Sequence, residues 1–305
     1  MSSTNNKSFN TCIIYHNHCN DGFGSALAAR KIFGDSAIYW PANHDQDPPD
    51  VKGMDVYILD YCYKRPILEN MVKVANKVIV IDHHKTAEAE LSDMEETSKF
   101  QKVFDMNHSG AVLTYKYFFP NEQLPLLFSY IEDRDIWLKK MPDTAEVSAA
   151  LFGLQKEFSI WEEYLVDENI DKLIDIGKKV LAHIEVEVNN LARNSYLDEW
   201  SLILDNERIT FNVAVCNSPL YQSDLGNYLV TKKFKDQADF AAIWNFDGTI
   251  NKTKFSLRST NEKQDISIIA KLFGGGGHRN ASGCTVDGLV PKLETDFSLL
   301  EFTDL

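Results

Sequence analysis

The sequence predicts an α/β protein: a doubly wound, mainly parallel sheet in an N-terminal domain, plus a smaller α/β C-terminal domain. Three observations predict this class. Apolar strand-like runs alternate with helical patterns in the first third, three of those runs end in ionisable residues, and strand-like runs return after about residue 200. Strands alternating with helices at this spacing are typical of βαβ units.

The first domain is expected to be built from strands over 11–16, 55–60 and 77–82. Helices are expected over 22–34, 64–75 and 109–119. Gly34 is a common residue just past a helix end, Pro66 is tolerated near a helix start, and Pro120 stops the third helix.

The pattern becomes helical from about 121 to 195, and the strand-like segments WSLIL, RITFNVAVC, DFAAIWNF and TKFSLRS follow. A glycine cluster then occupies 274–283. We therefore expect a loose N-terminal tail over 1–10, a first domain with a helical connector over 11–195, and a second domain over 196–305.

Composition and charge restrict the function. No apolar run is long enough to span a membrane, and the N-terminus lacks the apolar core of a secretory signal. The five cysteines never form a CxxC pair, which favours free thiols and a cytoplasmic location. A net charge of −14 disfavours long duplex nucleic acid as a partner and favours a small phosphate compound. The sequence does not decide whether the chain forms a homodimer.

Ionisable residues end the three apolar runs of the first domain. They are His16, His18 and Asp21 after the first run, Asp60 after the second, and Asp82, His83 and His84 after the third. The carboxyl ends of strands in a doubly wound sheet meet at one edge, where ligands bind. So many carboxylates require cations, and a mixed imidazole and carboxylate set favours manganese over structural zinc, with two ions rather than one.

Structural alternatives exist for single residues of this set. Asp60 alone could be a turn former. Asp133 and Asp135 follow another apolar segment and could close the site, although Asp135 is expected to pair with Arg134 or Lys139.

These motifs resemble those of the DHH phosphoesterase family, which includes RecJ, NrnA-type nanoRNases and exopolyphosphatases. The resemblance rests on Asp82-His83-His84, on Asp60, on Asp133 and on the glycine cluster Gly274–Gly283, and it covers nearly the whole chain. It implies two Mn²⁺ ions, with Mg²⁺ or Co²⁺ as substitutes.

The family resemblance also implies a role for each matched residue. His16 and Asp21 would be metal ligands, Asp60 would bridge the two ions, and His83 with Asp133 would complete the second ion's ligands. Asp82 would orient its neighbours and His84 would face the substrate phosphate.

The first motif departs from the family pattern. Many members carry an additional carboxylate before the final aspartate, whereas this chain has His18, Cys19 and Asn20 there. His18 is the first candidate for a replacement ligand and Cys19 the second, although Cys19 could also be a packed thiol.

The second domain is expected to bind substrate. Glycine amides can approach an anion closely, and the residues after them add donors. The candidates are Gly275, Gly276, Gly277, His278, Arg279, Asn280 and Arg258, the last of which could instead form a surface ion pair. Ser109 could bind phosphate at a helix N-terminus or cap that helix.

The sequence thus predicts Mn²⁺-dependent hydrolysis of a phosphodiester in a dinucleotide or short oligonucleotide. One alternative keeps the chemistry and changes the substrate to polyphosphate, pyrophosphate or a nucleotide 3′-phosphate. The other is a catalytically silent nucleotide-binding module.

Overall fold

The computed structural model describes residues 9–17, 19–43, 46–136, 138, 140–204 and 206–295. The chain forms two compact units, unit 1 over 1–181 and unit 2 over 182–305. The division falls inside one long helix, whereas the boundary expected near 195 lies just before the first strand of unit 2.

Unit 1 contains a five-stranded parallel sheet with helices on both faces. The strands are β1 (Thr11–His16), β2 (Ala37–Ala42), β3 (Asp55–Leu59), β4 (Lys77–Asp82) and β5 (Phe100–Phe104), in the order β2-β1-β3-β4-β5. The helices are α1 (Asn20–Phe33), α2 (Arg65–Val74), α3 (Lys85–Glu90), α4 (Gly110–Phe118), α5 (Leu126–Asp135), α6 (Thr144–Gly153), α7 (Phe158–Trp161) and α8 (Ile170–Ala192). The predicted α/β class is confirmed.

The central strands are apolar throughout because both of their faces are covered. Along β1, Ile13 packs in the core beside α1, α4 and α5, while Cys12 and Ile14 pack in the core on the opposite face, beside α2. Successive side chains of a strand point to opposite faces, so one apolar run supplies both cores.

The turn between β1 and α1 is tight. A Cβ atom at Gly22 would lie 2.2 Å from the carbonyl oxygen of His16, so only glycine fits there. Cys19 is the N-cap residue of α1, and the chain leaves the helix at Gly34, whose φ of 51° favours glycine. This turn places the residues after β1 at the carboxyl edge of the sheet.

Unit 2 contains a six-stranded mixed sheet. Its strands are β6 (Tyr196–Leu204), β7 (Glu207–Asn217), β8 (Phe240–Asp247), β9 (Lys252–Arg258), β10 (Gly276–His278) and β11 (Ala281–Asp287), in the order β10-β11-β9-β8-β7-β6. Only the β7–β8 pair is parallel among these described strands. Its helices are α9 (Gln222–Tyr228) and α10 (Ile266–Leu272). Trp200, Phe240 and Phe255 pack edge to face in the core beneath this sheet.

The glycine cluster forms most of a hairpin. β10 pairs with β11 through Gly276 opposite Gly283 and His278 opposite Ala281. A Cβ atom at Gly275 would lie 2.1 Å from the carbonyl oxygen of Gly283. The glycines therefore allow two backbones to pack closely.

None of the helices in the described ranges has both the length and the apolar character needed to cross a membrane.

Candidate metal centre

The carboxyl ends of three adjacent strands carry the predicted site. His16 ends β1, Asp60 follows β3, and Asp82 ends β4 with His83 directly after it. β1 and β3 are the strands between which the chain order of the sheet reverses, and a crevice forms at such a switch point. The fold therefore delivers these side chains to the place where α/β sheets bind ligands.

Asp60 is the centre of the group. It is 1% exposed, and neither of its carboxylate oxygens accepts a hydrogen bond of normal geometry from the residues that the structure describes. Its nearest polar neighbours are the His83 Nε2 atom at 3.2 Å from Oδ1 and the His16 Nδ1 atom at 3.6 Å from Oδ2. A backbone φ of 51° holds Asp60 in the left-handed region, which aspartate tolerates better than most residues.

His83 lies among three carboxylates. Its Nε2 atom is 3.2 Å from Asp60, 3.5 Å from Asp135 and 3.6 Å from Asp21. Asp135 is the last residue of α5, so a fourth segment of the chain reaches the cluster.

Asp82 holds the two histidines that follow it. Its Oδ1 atom accepts hydrogen bonds from the backbone amides of His83 at 2.7 Å and His84 at 3.3 Å, and it lies 2.7 Å from His84 Nδ1. The contact with Nδ1 leaves Nε2 as the ring atom of His84 that can meet a substrate. The side chain of His84 is half exposed.

Asp21 is held by the N-terminus of α4. Its carboxylate accepts hydrogen bonds from the amides of Gly110 at 2.6 Å and Ala111 at 3.0 Å. A Cβ atom at Gly110 would lie 2.5 Å from that of Asp60, so glycine is required where α4 begins. The N-terminus of α4 therefore orients a site carboxylate.

Ser109, for which a phosphate contact and a helix cap were both considered, is placed as a cap. Ser109 is fully buried and is the N-cap of α4, with its hydroxyl accepting a hydrogen bond from the amide of Val112. Its own amide donates to Glu132, and the next two amides are used by Asp21. Ser109 therefore caps helix α4, the second of the two roles considered for it.

Asp133, the expected ligand, belongs to none of the groups of close ligand atoms among the described residues, whereas Asp135 belongs to one with Asp21 and His83. Both oxygens of Asp133 are used locally: Oδ1 accepts from the amides of Lys140 and Met141, and Oδ2 accepts from the Thr144 hydroxyl at 2.6 Å. Asp135 lies 3.5 Å from His83 Nε2, and Lys139, one of the two cations expected to pair with it, lies outside the described residues. Helical residues two apart point in nearly opposite directions, so only one of the two can face the cluster.

His18 lies outside the described residues. Cys19, the other candidate in the first motif, is close to the cluster: ligand atoms of His16, Cys19 and Asp60 all lie within 4.8 Å of one another.

The electrostatics of the cluster favour bound cations. Burial raises the pKa of Asp21, and the charges of Asp60 and Asp135 raise it further. Burial raises the pKa of Asp135 in the same way. Burial opposes ionisation of Asp60 as well, but the surrounding imidazoles hold its pKa below the usual value. A divalent cation would stabilise all three carboxylates in their charged forms.

The donor set fits divalent metal ions. Three groups of ligand atoms lie close enough together, namely His16 with Cys19 and Asp60, Asp21 with His83 and Asp135, and Asp60 with Asp82, His83 and His84. Asp60 belongs to two of these groups, and its oxygens lack the hydrogen bonds that a buried carboxylate needs. Imidazole and carboxylate ligands suit first-row divalent ions.

Two cavities of about 270 Å³ open beside the cluster. The first is lined by His16, Asp60, Asp82 and His84 together with Tyr61, Cys62, Tyr63 and Lys64. The second is lined by Cys19, Asp21 and Asp135 together with Tyr130, Arg134, Ser148 and Phe152. Each combines aromatic side chains with one basic residue, a feature that the sequence analysis missed.

The substrate-binding candidates of unit 2 lie around the hairpin. Arg258, in β9, donates hydrogen bonds to the Leu257 carbonyl and the Ser223 hydroxyl. Arg279 bonds to Asp265 and to the carbonyl of Lys263, which fastens the hairpin turn to the preceding loop. Substrate binding by these residues, and by Gly275, Gly276, Gly277, His278 and Asn280, stays a prediction.

Comparison with known proteins gives the following relatives. No protein-family model matches the chain. It is 34% identical over 294 residues to the uncharacterized protein R106 of Acanthamoeba polyphaga mimivirus, covering 91% of this chain and 68% of R106. It is 24% identical over 250 residues to the oligoribonuclease NrnB of Bacillus subtilis (strain 168), covering 74% of this chain and 57% of NrnB. The chain thus spans little more than half of NrnB.

Two solved structures share the fold. One is the DHH domain of a member of the s1p family of ribosomal proteins, with a TM-score of 0.58 and 12% identity over 92% of this chain and 83% of that one. The other is the pGpG-specific phosphodiesterase PggH from Vibrio cholerae, with a TM-score of 0.50 and 11% identity over 92% of this chain and 94% of that one.

Proposed function

We propose that this chain, which belongs to the DHH phosphoesterase family, is a divalent-metal-dependent phosphodiesterase that hydrolyses dinucleotides or short oligonucleotides to mononucleotides. The observation that carries the proposal is Asp60, a buried carboxylate with two unsatisfied oxygens among imidazoles at the switch point of the sheet. Hydrolysis of phosphate esters is the chemistry that such a two-metal cluster supports best.

Two divalent ions would be held by the cluster around Asp60, with Mn²⁺ the first candidate for the position that Cys19 does not reach. His16 and Asp60 would hold one, and Asp21, His83 and Asp135 the other, in keeping with the groups of ligand atoms. Such a pair supplies a nucleophile from water at neutral pH and offsets the negative charge of the phosphate.

His84 would supply a proton or a hydrogen bond to the substrate. The hydrogen bond to Asp82 raises the pKa of His84, which favours the doubly protonated ring. With Nδ1–H directed to Asp82, Nε2–H is available to a phosphoryl or leaving oxygen. Asp82 would orient this ring and would not itself transfer the proton.

The lining of the two cavities favours a nucleotide over polyphosphate. A polyphosphate groove would be lined mainly by Lys and Arg, whereas each cavity here offers aromatic side chains with one basic residue. Phe152 is 82% exposed at the edge of the second cavity, where its ring is accessible for stacking on a base. The activities named for NrnB and PggH, which act on oligoribonucleotides and pGpG, agree with this substrate class.

The test is a turnover screen with Mn²⁺ on dinucleotides, cyclic dinucleotides, short RNA and DNA, polyphosphate and adenosine 3′,5′-bisphosphate. We expect mononucleotides from linear dinucleotides as the fastest reaction. Asp60→Asn should lower kcat by about a thousandfold or more, because the loss of a metal-bridging carboxylate costs several kcal/mol in the transition state. Faster release of phosphate from polyphosphate would contradict the substrate class, and full activity of Asp60→Asn with bound Mn²⁺ would contradict the site.

Substitution of the exposed aromatic ring tests base recognition. Phe152→Ala should raise KM for a dinucleotide by about tenfold with little change in kcat, because stacking on a base contributes about 1–3 kcal/mol. Val166→Ala, another exposed apolar residue of unit 1 outside both cavities, is the matched control. An unchanged KM for Phe152→Ala would remove this ring from the proposed binding site.

A further inference from the structure

Cys19, the N-cap residue of α1, lies at one end of the candidate metal centre. Its Sγ atom, a ring nitrogen of His16 and a carboxylate oxygen of Asp60 all lie within 4.8 Å of one another. The tight turn at Gly22 fixes this arrangement by bringing the N-cap of α1 back toward His16. The spacing lets one cation contact all three side chains.

A separate observation points to a ligand at this position. Asp60 is 1% exposed and both of its oxygens lack a normal hydrogen bond, so this carboxylate needs a positive partner. His83 Nε2 lies 3.2 Å from Oδ1, whereas the atom that faces Oδ2 is His16 Nδ1 at 3.6 Å, beyond hydrogen-bond distance. A cation bound between His16, Cys19 and Asp60 would supply the positive charge that this carboxylate lacks.

The other cysteines in the described residues lack this setting. Cys12 is buried in an apolar core, and the Cys62 thiol lies 3.1 Å from the carbonyl oxygen of Tyr63. Neither belongs to a group of ligand atoms among the residues that the structure describes. Cys62 lines the first cavity, which makes it a matched control for Cys19.

We propose that the Cys19 thiolate is a ligand of the cation held by His16 and Asp60, and that this position therefore prefers thiophilic divalent ions to Mn²⁺ or Mg²⁺. The inference rests on the proposed function only for the presence of a cation there. On binding, the S–H bond breaks, a sulfur–metal bond forms and the proton passes to solvent. Thiolate ligands favour zinc-like ions, whereas an all-oxygen and imidazole set suits Mn²⁺.

The test is spectroscopic and does not depend on turnover. Metal-free full-length protein is titrated with Co²⁺ and with Cd²⁺, and absorption is followed for a sulfur-to-metal charge-transfer band. The wild-type chain and Cys62→Ser should both show the band, and Cys19→Ser should not. Serine is a good N-cap residue, so Cys19→Ser should fold, which circular dichroism of the metal-free variants checks.

The Cys19→Asp variant tests the proposed metal preference in the opposite direction. Cys19→Asp should bind Mn²⁺ at least about tenfold more tightly than wild type and Cd²⁺ at least about tenfold less tightly, as measured by calorimetry. A band that is absent from wild type, or that persists in Cys19→Ser, would overturn the proposal. A charge-transfer band in a protein without phosphodiesterase activity on any substrate would support the thiolate ligand and contradict the proposed function. Mn²⁺-dependent turnover without a band would support the proposed function and contradict the thiolate ligand.

Discussion

Asp133 and Asp135 lie two residues apart at the end of α5 and have opposite environments. Asp133 is satisfied by two backbone amides and the Thr144 hydroxyl, which fasten the segment after α5 to the helix. Asp135 instead adds a negative charge to a cluster that already holds Asp21 and Asp60. The contacts of Asp133 thus hold neighbouring segments of unit 1 together, whereas Asp135 faces other carboxylates, which we expect to cost some stability in the absence of a cation.

Substitution of each aspartate by asparagine separates these roles. Asp133→Asn should destabilise the chain by about 1–3 kcal/mol, because it weakens charge-assisted hydrogen bonds of a buried group, and leave cation affinity nearly unchanged. Asp135→Asn should lower cation affinity by about tenfold or more and leave the metal-free stability equal or higher, because one repelling charge is removed. Urea unfolding and calorimetric titration with Mn²⁺ measure the two effects.

The same two measurements can contradict the assignment of Asp135, rather than Asp133, to the cluster. Loss of Mn²⁺ binding in a folded Asp133→Asn chain, with normal binding in Asp135→Asn, would restore the original assignment of Asp133.

The sequence predicts the residues at strand ends better than those at helix ends. His16, Asp60 and His83 follow buried strands whose carboxyl ends must meet, so their convergence follows from the topology. The choice between Asp133 and Asp135 depends on the rotation of α5. That helix buries residues around most of its circumference, so its apolar pattern does not reveal which side faces the sheet edge.

Central strands could be predicted and edge strands could not. β1, β3 and β4 are covered on both faces and therefore read as continuous apolar runs. β2 and β5 lie at the two edges of the sheet. β2 contains Pro41, and the sequence FQKVF of β5 includes two polar residues, so neither has the signature of a buried strand.

The structural role of the glycine cluster could not be predicted from the sequence. Four consecutive glycines indicate either anion binding or close backbone packing, and the sequence does not distinguish them. The choice depends on β11, which packs against Gly275 and Gly277.

Helix α8 packs against α6 through a glycine. A Cβ atom at Gly177 would lie 1.8 Å from the carbonyl oxygen of Glu146, which is backbone and cannot rotate away. We expect Gly177→Ala to destabilise unit 1 by about 1–3 kcal/mol, because the overpacking outweighs the gain in helix propensity. Thermal or urea unfolding measures the change.

Gly153, at the end of α6, is the matched control. A Cβ atom there meets nothing within 4 Å, so Gly153→Ala should be neutral or stabilising by up to about 1 kcal/mol. Equal stability of the two variants would show that α8 and α6 do not pack as described.

The molecule as a whole carries a net charge of −14, and its buried carboxylates concentrate that charge at the metal centre. Cations that bind only the folded chain stabilise it by about 2.7 kcal/mol at a hundredfold excess over Kd. We therefore expect chelation of the metal to lower Tm by several degrees, about 5 °C under such conditions. Differential scanning calorimetry with and without Mn²⁺ measures this shift.

Protons should compete with the cations. Burial lowers the pKa of His83, but its close contact with Asp60 and the charges of Asp21 and Asp135 outweigh that effect and raise it to about 9. Below that pH a cation must displace a proton from His83, so the Mn²⁺-induced rise in Tm should shrink as the pH falls. Asp60→Asn should show a much smaller rise at every pH, and a rise equal to that of wild type would contradict metal binding at this cluster.

The ligand side chains of the metal centre extend along the chain from His16 to Asp135, and the hydrogen bonds that fix Asp21 come from 89 and 90 residues further on. A nascent polypeptide therefore has no complete set of these side chains until Asp135 has been synthesised and the parallel sheet has formed. If the cluster binds metal as proposed, loading would follow the folding of unit 1, which must then fold with these buried carboxylates uncompensated.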